Sequence, residues 1–201
     1  MSGEILKSFA TPYPNPRGLA FDGKYLWLSN WQDLFIHQMD LNGVVIKNIV
    51  PPNLDVTGLA FDGKHLWFSE LNDSLFYQAD VNGNIIKSFA APMASPRELD
   101  FDGKYLWTCS PTTDLIYQLD VNGNIIKSFA SPGLSPYGIA FDGKHLWHSD
   151  YGSDLIYQLD INGVVLRSFS TPSTYCRGLA FDGKHLWLSD ADTDLVYQIA
   201  I

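Results

Sequence analysis

The sequence predicts an all-β fold made of five copies of one unit, and three observations support this prediction. The heptapeptide Phe-Asp-Gly-Lys-(Tyr/His)-Leu-Trp begins at residue 21 and returns every 40 residues, without insertion or deletion, through the 201-residue chain. No segment shows helical periodicity. The first ten residues match a segment from inside the repeat rather than its start. A strict period of this length is typical of an architecture in which one supersecondary unit is copied and stacked.

Four short strands fill each unit, as residues 81–120 illustrate. The β-branched and aromatic segment 81–90 predicts one strand, and the segments 97–101, 105–108 and 115–119 predict three more. Asp-Gly at 102–103 predicts a tight hairpin turn, because both residue types tolerate positive φ. Asp-Val-Asn-Gly at 120–123 predicts a second turn. Four antiparallel strands in 40 residues describe the blade of a propeller.

The two ends of the chain complete each other. Residues 1–10 align with the outermost strand of an internal unit, and residues 177–201 supply the three inner strands of a blade. An open solenoid would need polar caps at its ends instead. We therefore predict a closed five-bladed β-propeller, a single domain over 1–201, and we expect a monomer. With strands a to d counted outward from the central channel, the predicted blades are 17–50, 57–90, 97–130, 137–170, and 177–201 plus 4–10.

The repeated units also resemble a known group of proteins. The segment 138–163 carries Gly-Ile-Ala-Phe-Asp-Gly-Lys-His-Leu-Trp followed by Asp-Leu-Ile-Tyr-Gln-Leu-Asp-Ile-Asn-Gly, and this pattern is similar to NHL-type and related bacterial propeller repeats. The resemblance covers the whole chain and implies the propeller fold. Such repeats occur in binding modules, lyases, lactonases and glutaminyl cyclases, so the resemblance does not select one activity.

Composition excludes several kinds of partner. The formal net charge is −9, whereas a nucleic-acid or anionic membrane surface requires a basic patch. No apolar run approaches the ~18 residues of a transmembrane helix, and the first residues lack the features of a signal peptide. The sequence does not indicate the cellular compartment.

The Asp-x-Asn-Gly turns lack the length and distal Glu of calcium loops. Histidines 40 residues apart do not form a local zinc motif. We expect no metal and no cofactor.

The copies differ from one another on one face only. Residues 81–120 and 121–160 differ at 14 of 40 positions, and all 14 lie between residue 91 and residue 113 of the first copy. In a propeller the d–a and b–c loops emerge on one face and the uniform turns on the other. A varied set of loops on a rigid scaffold is a common location of function. The alternative is that exposed loops have simply drifted.

Ligand-binding candidates lie on this varied face. At the entry of strand a the copies carry Arg17, Arg97, Arg177 and Tyr137, and the arginines can pair with a ligand carboxylate or phosphate, or with neighbouring acids. Aromatic and acidic residues follow strand b. These further candidates are Trp31, Tyr151, Glu70, Asp150 and Asp190. A mixture of aromatic rings and polar groups suits a sugar or a peptide.

Candidate catalytic residues are concentrated in the third unit. Glu98 and Asp100 replace the Gly and Ala of the other copies and, two residues apart on a strand, should point to one face. They are predicted to act as general acid and base or as ligands of a hard cation; the alternative is a salt bridge to Arg97 or another channel arginine. His148 is the only histidine at its position in the five aligned copies. It can titrate near neutrality, or it is a hydrogen-bonded packing residue.

Three functional hypotheses follow from these residues. The first is a non-catalytic module that binds a carbohydrate or peptide on the varied face. The second is a symmetric scaffold, recently amplified, reconstructed or engineered, without an evolved ligand. The third is a hydrolase, lyase or cyclase that uses Glu98 and Asp100 at the channel mouth.

Overall fold

The chain folds into a five-bladed β-propeller, as predicted. A computed structural model describes residues 3–31, 33, 35–53 and 55–201. Every secondary-structure element in these residues is a strand, and the strands form five four-stranded antiparallel sheets. No helix that could span a membrane occurs in the same residues.

Each blade runs from strand a at the channel to strand d at the rim. Blade 1 consists of β2 (Pro16–Phe21), β3 (Leu26–Asn30), β4 (Ile36–Met39) and β5 (Val45–Ile49), and blade 2 of β6 (Val56–Phe61), β7 (Leu66–Glu70), β8 (Leu75–Ala79) and β9 (Ile85–Ala90). Blade 3 consists of β10 (Leu99–Phe101), β11 (Leu106–Ser110), β12 (Leu115–Leu119) and β13 (Ile125–Ala130), and blade 4 of β14 (Pro136–Phe141), β15 (Leu146–Asp150), β16 (Leu155–Leu159) and β17 (Val165–Ser170). Blade 5 consists of β18 (Cys176–Phe181), β19 (His185–Asp190), β20 (Leu195–Ala200) and the N-terminal β1 (Ile5–Ala10).

The ring is closed by the two ends of the chain. Strand β1 pairs antiparallel with β20, the last strand. Beyond the strand ends, Gly3 N donates to Ala200 O at 2.8 Å, and Ala200 N donates to Glu4 O at 2.9 Å. The outer strand of blade 5 therefore comes from the start of the chain, as predicted.

The repeated tryptophans form the packing between blades. All five tryptophans of the heptapeptide are fully buried. Trp27 of blade 1 packs in one cluster with Leu59 and Phe68 of blade 2, and its Nε1 donates to Asp22 Oδ2 at 2.8 Å. A buried tryptophan of this kind costs about 3–5 kcal/mol when it is replaced by alanine. The repeated Trp and Asp of each unit are thus a structural pair.

The Asp-Gly turns differ in detail from the prediction. Only the glycine of each pair has positive φ, as in Gly23 at 94°. The aspartate acts through its side chain instead, since Asp22 Oδ1 accepts the backbone N–H groups of Lys24 at 2.9 Å and Tyr25 at 2.7 Å. The turn is therefore a side-chain-capped loop rather than a two-residue hairpin with two positive φ angles.

Strand a of blade 3 is shorter than predicted. It covers Leu99–Phe101 rather than 97–101. In blade 4, Gly138 N donates to Ser149 Oγ at 2.9 Å and so extends the contact between strands a and b. Blade 3 has Cys109 in place of this serine, and sulfur is a weak acceptor. The N–H of Glu98 turns to the next blade instead and donates to Tyr137 O at 3.2 Å.

Candidate functional site

The two varied sets of loops lie together at one end of the channel. A backbone N–H at the start of the b–c loop donates to a carbonyl of the d–a loop in the same blade. In blade 1 the pair is Trp31 N and Asn15 O at 3.2 Å, and in blade 2 it is Leu71 N and Asp55 O at 3.1 Å. These loops surround the channel mouth.

The inner strands approach one another so closely that only glycine fits at several positions. A Cβ atom on Gly58 would lie 2.3 Å from Arg97 O, and one on Gly178 would lie 2.3 Å from Arg17 O. These distances are far below van der Waals contact, so any larger residue would displace the neighbouring strand. Because the ring is narrow, the side chains at the start of strand a in the different blades lie close together at the channel mouth.

Three of those side chains are the predicted arginines, and each stacks on an aromatic ring. The Cζ atom of Arg17 lies 4.5 Å from the ring centroid of Trp31. The corresponding distance is 4.7 Å for Arg97 over Tyr137 and 4.5 Å for Arg177 over Tyr175. Stacking covers the flat face of a guanidinium and leaves its N–H edge for hydrogen bonds. The mouth therefore presents three oriented cations.

These cations have too few acidic partners. Arg17 Nη1 pairs with Asp55 Oδ1 at 3.2 Å. No ion pair or hydrogen bond within the described residues reaches the guanidinium of Arg97 or Arg177, and the buried Nε atoms of all three arginines have no partner there. Burial and the positive charge of Arg177 lower the pKa of Arg17 to about 10, against the opposing effect of Asp55. Arg17 therefore stays positive at neutral pH.

A cleft of about 320 Å³ opens above the arginines. Its lining combines the three arginines and their aromatic partners Trp31, Tyr137 and Tyr175 with Asp55, Leu71 and Asn72. This volume is at the lower end of the range for small-molecule sites in proteins. The predicted candidates Arg17, Arg97, Arg177, Tyr137 and Trp31 thus come together in one place.

Tyr151 lies beside the cleft rather than in its lining. Its ring centroid is 6.0 Å from that of Tyr137 and 4.7 Å from that of Tyr175, and both contacts are edge-to-face. The three tyrosines and Arg177 line a small notch next to the cleft. Tyr151 therefore holds the tyrosines that flank the arginines.

The three acidic candidates after strand b serve their own loops. Glu70, Asp150 and Asp190 are each at most 1% exposed. The two oxygens of Glu70 accept backbone N–H groups of its own b–c loop at 2.9 and 2.7 Å. Burial alone would raise the pKa of Asp190, but hydrogen bonds from groups that include Ser173 and Thr193 lower it overall. These carboxylates are occupied as loop caps, and we leave them out of the proposed site.

Glu98 projects into the space that the inner glycines leave open. It is 1% exposed, and its Oε1 accepts the backbone N–H of Leu59 at 2.6 Å while Oε2 accepts that of Leu19 at 3.2 Å. A Cβ atom on Gly178 would lie 2.5 Å from Oε2. One carboxyl group thus contacts the inner strands of blades 1, 2 and 5.

Asp100 contacts the remaining blade. Its Oδ2 accepts the backbone N–H of Phe141 at 2.5 Å, and its Oδ1 accepts that of Phe101 at 2.8 Å. Burial raises the pKa of Asp100 to about 7. Burial also raises the pKa of Glu98 well above its ordinary value, and the nearby Asp100 adds to this effect. The two carboxyl groups fasten the inner strands to one another.

The structure does not contain the predicted alternative of a salt bridge. Within the described residues, neither Glu98 nor Asp100 forms an ion pair with an arginine. The reason is geometric, because the inner strands of a propeller expose backbone N–H groups towards the axis and these are nearer than the guanidinium edges. In the same residues no cluster of three or more potential metal ligands occurs.

His148 is a packing residue. It is fully buried, with Nδ1 hydrogen-bonded to Gly138 O at 2.8 Å and Nε2 to Ser131 Oγ at 2.9 Å. Burial lowers the pKa of His148 to about 4. The buried ring with both nitrogens hydrogen-bonded favours the packing alternative over a group that titrates near neutrality.

Sequence reasoning missed Asp55, the acidic partner in the site. Asp55 stands two residues before the entry of strand a, where the other copies have Asn15, Ser95, Ser135 and Tyr175. Its Oδ2 accepts Asn72 Nδ2 at 2.6 Å, which orients it towards Arg17. Aligning the five copies and looking for a position near the arginines where only one copy has an acidic residue would have found Asp55.

Comparisons with known proteins support the fold and go no further. No family model matches the chain, and no curated protein matches it. Among solved structures, glutaminyl cyclase from Myxococcus xanthus has a TM-score of 0.85 at 12% identity, over 98% of this chain and 95% of that one. A catalytically inactive virginiamycin B lyase from Staphylococcus aureus with quinupristin has a TM-score of 0.60 at 20% identity, over 96% and 68%.

The WD40 β-propeller domain of Doa1 is also similar, with a TM-score of 0.62 at 16% identity over 90% of this chain and 62% of that one. Identities this low show a shared architecture rather than a shared activity. The resemblance to NHL-type repeats stays a prediction. The comparisons thus show a fold that this chain shares with a glutaminyl cyclase, a virginiamycin B lyase and a WD40 domain.

Proposed function

We propose that this propeller is a non-catalytic module that binds a small ligand through a carboxylate held by Arg17, Arg97 and Arg177. One observation carries the proposal: three buried or half-buried guanidinium groups converge on the mouth, and Asp55 is their one acidic partner in the described residues. Arginine pairs with carboxylates through two parallel hydrogen bonds. The surplus of positive charge is local, because the chain as a whole carries a net charge of −9.

The aromatic lining suggests what the carboxylate is attached to. Trp31 is 55% exposed although it is a large apolar residue, and it lines the cleft together with Tyr137 and Tyr175. A cleft of about 320 Å³ has room for roughly ten non-hydrogen groups if each takes the ~30 Å³ of a liquid water molecule. A sugar acid or the C-terminal residue of a peptide has this size, and both offer a carboxylate beside a body that packs on aromatic rings.

Calorimetric titration tests the proposal directly. The ligands are glucuronic acid beside glucose, and short peptides with a free beside an amidated C-terminus. Binding of the acid but not of its neutral counterpart is the expected result, and the class that binds separates sugar from peptide. If no acidic compound binds at millimolar concentration, the proposal fails and the bare scaffold becomes the better hypothesis.

A matched pair of arginine variants locates the binding. Arg97→Met removes one guanidinium of the site, and we expect affinity to fall about 10- to 100-fold, the effect of losing hydrogen bonds to a charged group. Arg167→Met is the control, because Arg167 also stacks on an aromatic ring, 5.1 Å from Trp147, but lies on the outer strand of blade 4. Equal affinities of the two variants would contradict the assignment.

An enzyme that uses Glu98 is the second candidate. Glu98 lines the same inner pocket as the three arginines, and two of the similar structures are enzymes. Its oxygens already accept three backbone N–H groups, which favours a structural role. Any turnover detected with a bound ligand should be compared in Glu98→Gln. Loss of turnover with retained ligand affinity would favour the enzyme over the binding module.

A further inference from the structure

We infer that a single halide ion, such as chloride, binds in an inner pocket between the three arginines and Glu98. This pocket shares the three arginines and Tyr137 with the cleft of the proposed ligand, but its lining also includes the buried residues Thr57 and Glu98, which the cleft does not reach. It has a volume of about 10 Å³ and is lined by Arg17, Thr57, Arg97, Glu98, Tyr137 and Arg177. That space holds one water-sized particle and no polyatomic oxyanion.

Unsatisfied donors are the first line of argument. The Nε–H groups of Arg17, Arg97 and Arg177 are buried and have no hydrogen-bond partner in the described residues. Arg17 is 4% exposed and Arg177 is 8% exposed. Buried N–H groups without an acceptor are rare in folded proteins, and such a group calls for a bound water or ion. Here the three arginines that carry such groups all line one pocket.

Charge is the second line of argument. Within the described residues the three guanidinium groups form a single ion pair, with Asp55, so two of the positive charges have no ion-pair partner there. A water molecule in the pocket has two lone pairs for three N–H donors and brings no charge. A halide accepts all three donors without a directional requirement and neutralises one of the two charges. One positive charge is then left for a ligand carboxylate in the cleft above.

Glu98 is not the hydrogen-bond acceptor for the three arginines. Its two oxygens are turned to the backbone N–H groups of Leu19, Leu59 and Leu99 in the channel wall. Burial raises the pKa of Glu98 well above its ordinary value. Within the described residues the hydrogen-bond donors to its carboxyl group are these backbone N–H groups rather than the arginines.

Thermal unfolding at constant ionic strength tests the inference. Sodium methanesulfonate, whose anion is too large for the pocket, is replaced stepwise by sodium chloride or bromide. At a halide concentration ten times the dissociation constant, we expect Tm to rise by about 3–6 °C. The rise should be absent in Arg97→Met and retained in Arg167→Met. Crystals grown in sodium bromide should show an anomalous peak between the arginines and Glu98.

Three results would overturn the inference. The first is a Tm that is the same in chloride and in methanesulfonate, which would leave a water in the pocket. The second is an equal halide effect in both arginine variants, which would indicate a general salt effect. The third is competition, in which added chloride weakens binding of the carboxylate ligand in proportion to its concentration. Competition would put the halide in the cleft and would leave the proposed function intact.

Discussion

Replacing Asp100 by alanine, the residue at the matching position of the other four blades, should change how stability depends on pH. Burial raises the pKa of Asp100 from 3.8 to about 7. Between these values the folded protein binds more protons than the unfolded chain, so wild-type stability falls as pH rises. A shift of about three pKa units corresponds to at most roughly 4 kcal/mol. The alanine variant has no carboxyl group at this position, so its stability should not fall in this way as pH rises.

A second effect of the substitution does not depend on pH. The backbone N–H of Phe141 loses its acceptor, which costs about 1–3 kcal/mol for a buried donor. The two effects have opposite signs above neutral pH. The variant is therefore expected to be the less stable protein at pH 4 and the more stable one at pH 8.

Urea unfolding followed by tryptophan fluorescence measures the difference, because the five repeated tryptophans are fully buried. Carboxylates whose pKa is lowered by hydrogen bonds, such as Asp62 and Asp182, contribute equally to both proteins and cancel. Asp100→Asn keeps one acceptor and does not titrate, so it should lose the pH dependence as well. A free-energy difference that is constant from pH 4 to pH 8, or that favours wild type more as pH rises, would refute the reasoning.

Three further predictions test the scaffold. Ser149→Ala removes a hydroxyl that accepts Gly138 N–H and donates to Arg177 O of the next blade. Urea unfolding should show that the free energy of unfolding falls by about 1–3 kcal/mol, and a decrease below about 0.5 kcal/mol would contradict this linkage. In a proton NMR titration the His148 ring should stay neutral down to about pH 4, and a titration midpoint near 6.5 would be inconsistent with the buried ring. The stability of the wild-type protein should also fall between pH 6.5 and pH 4 relative to His148→Leu, because only the unfolded chain gains the proton in that range. Deletion of residues 1–10 exposes the edge of the last strand and should cause aggregation in light scattering, so a monomer with unchanged Tm would argue against ring closure by this strand.

Comparison of the copies within the chain predicted the fold and identified several residues that line the candidate site. The column Arg17, Arg97, Arg177 and Tyr137 was identifiable because strand a enters the channel at the same point in every blade. The acids after strand b were identifiable by the same comparison, yet they cap their own loops. A carboxylate at the end of a strand has the same appearance in sequence whether it points to a ligand or to the backbone of its own turn.

By itself, the sequence determined the number of blades, their strands and the closure of the ring. These depend on contacts within one 40-residue unit or between adjacent units, such as Trp27 on Asp22 five residues away, and every copy repeats them. Only the tertiary structure decided what the exceptional residues do. Glu98 binds the amides of Leu59 and Leu19, which are 39 and 79 residues away, and the arginines meet across the channel. Such partners come from different blades, and the closed ring alone brings them within hydrogen-bonding distance.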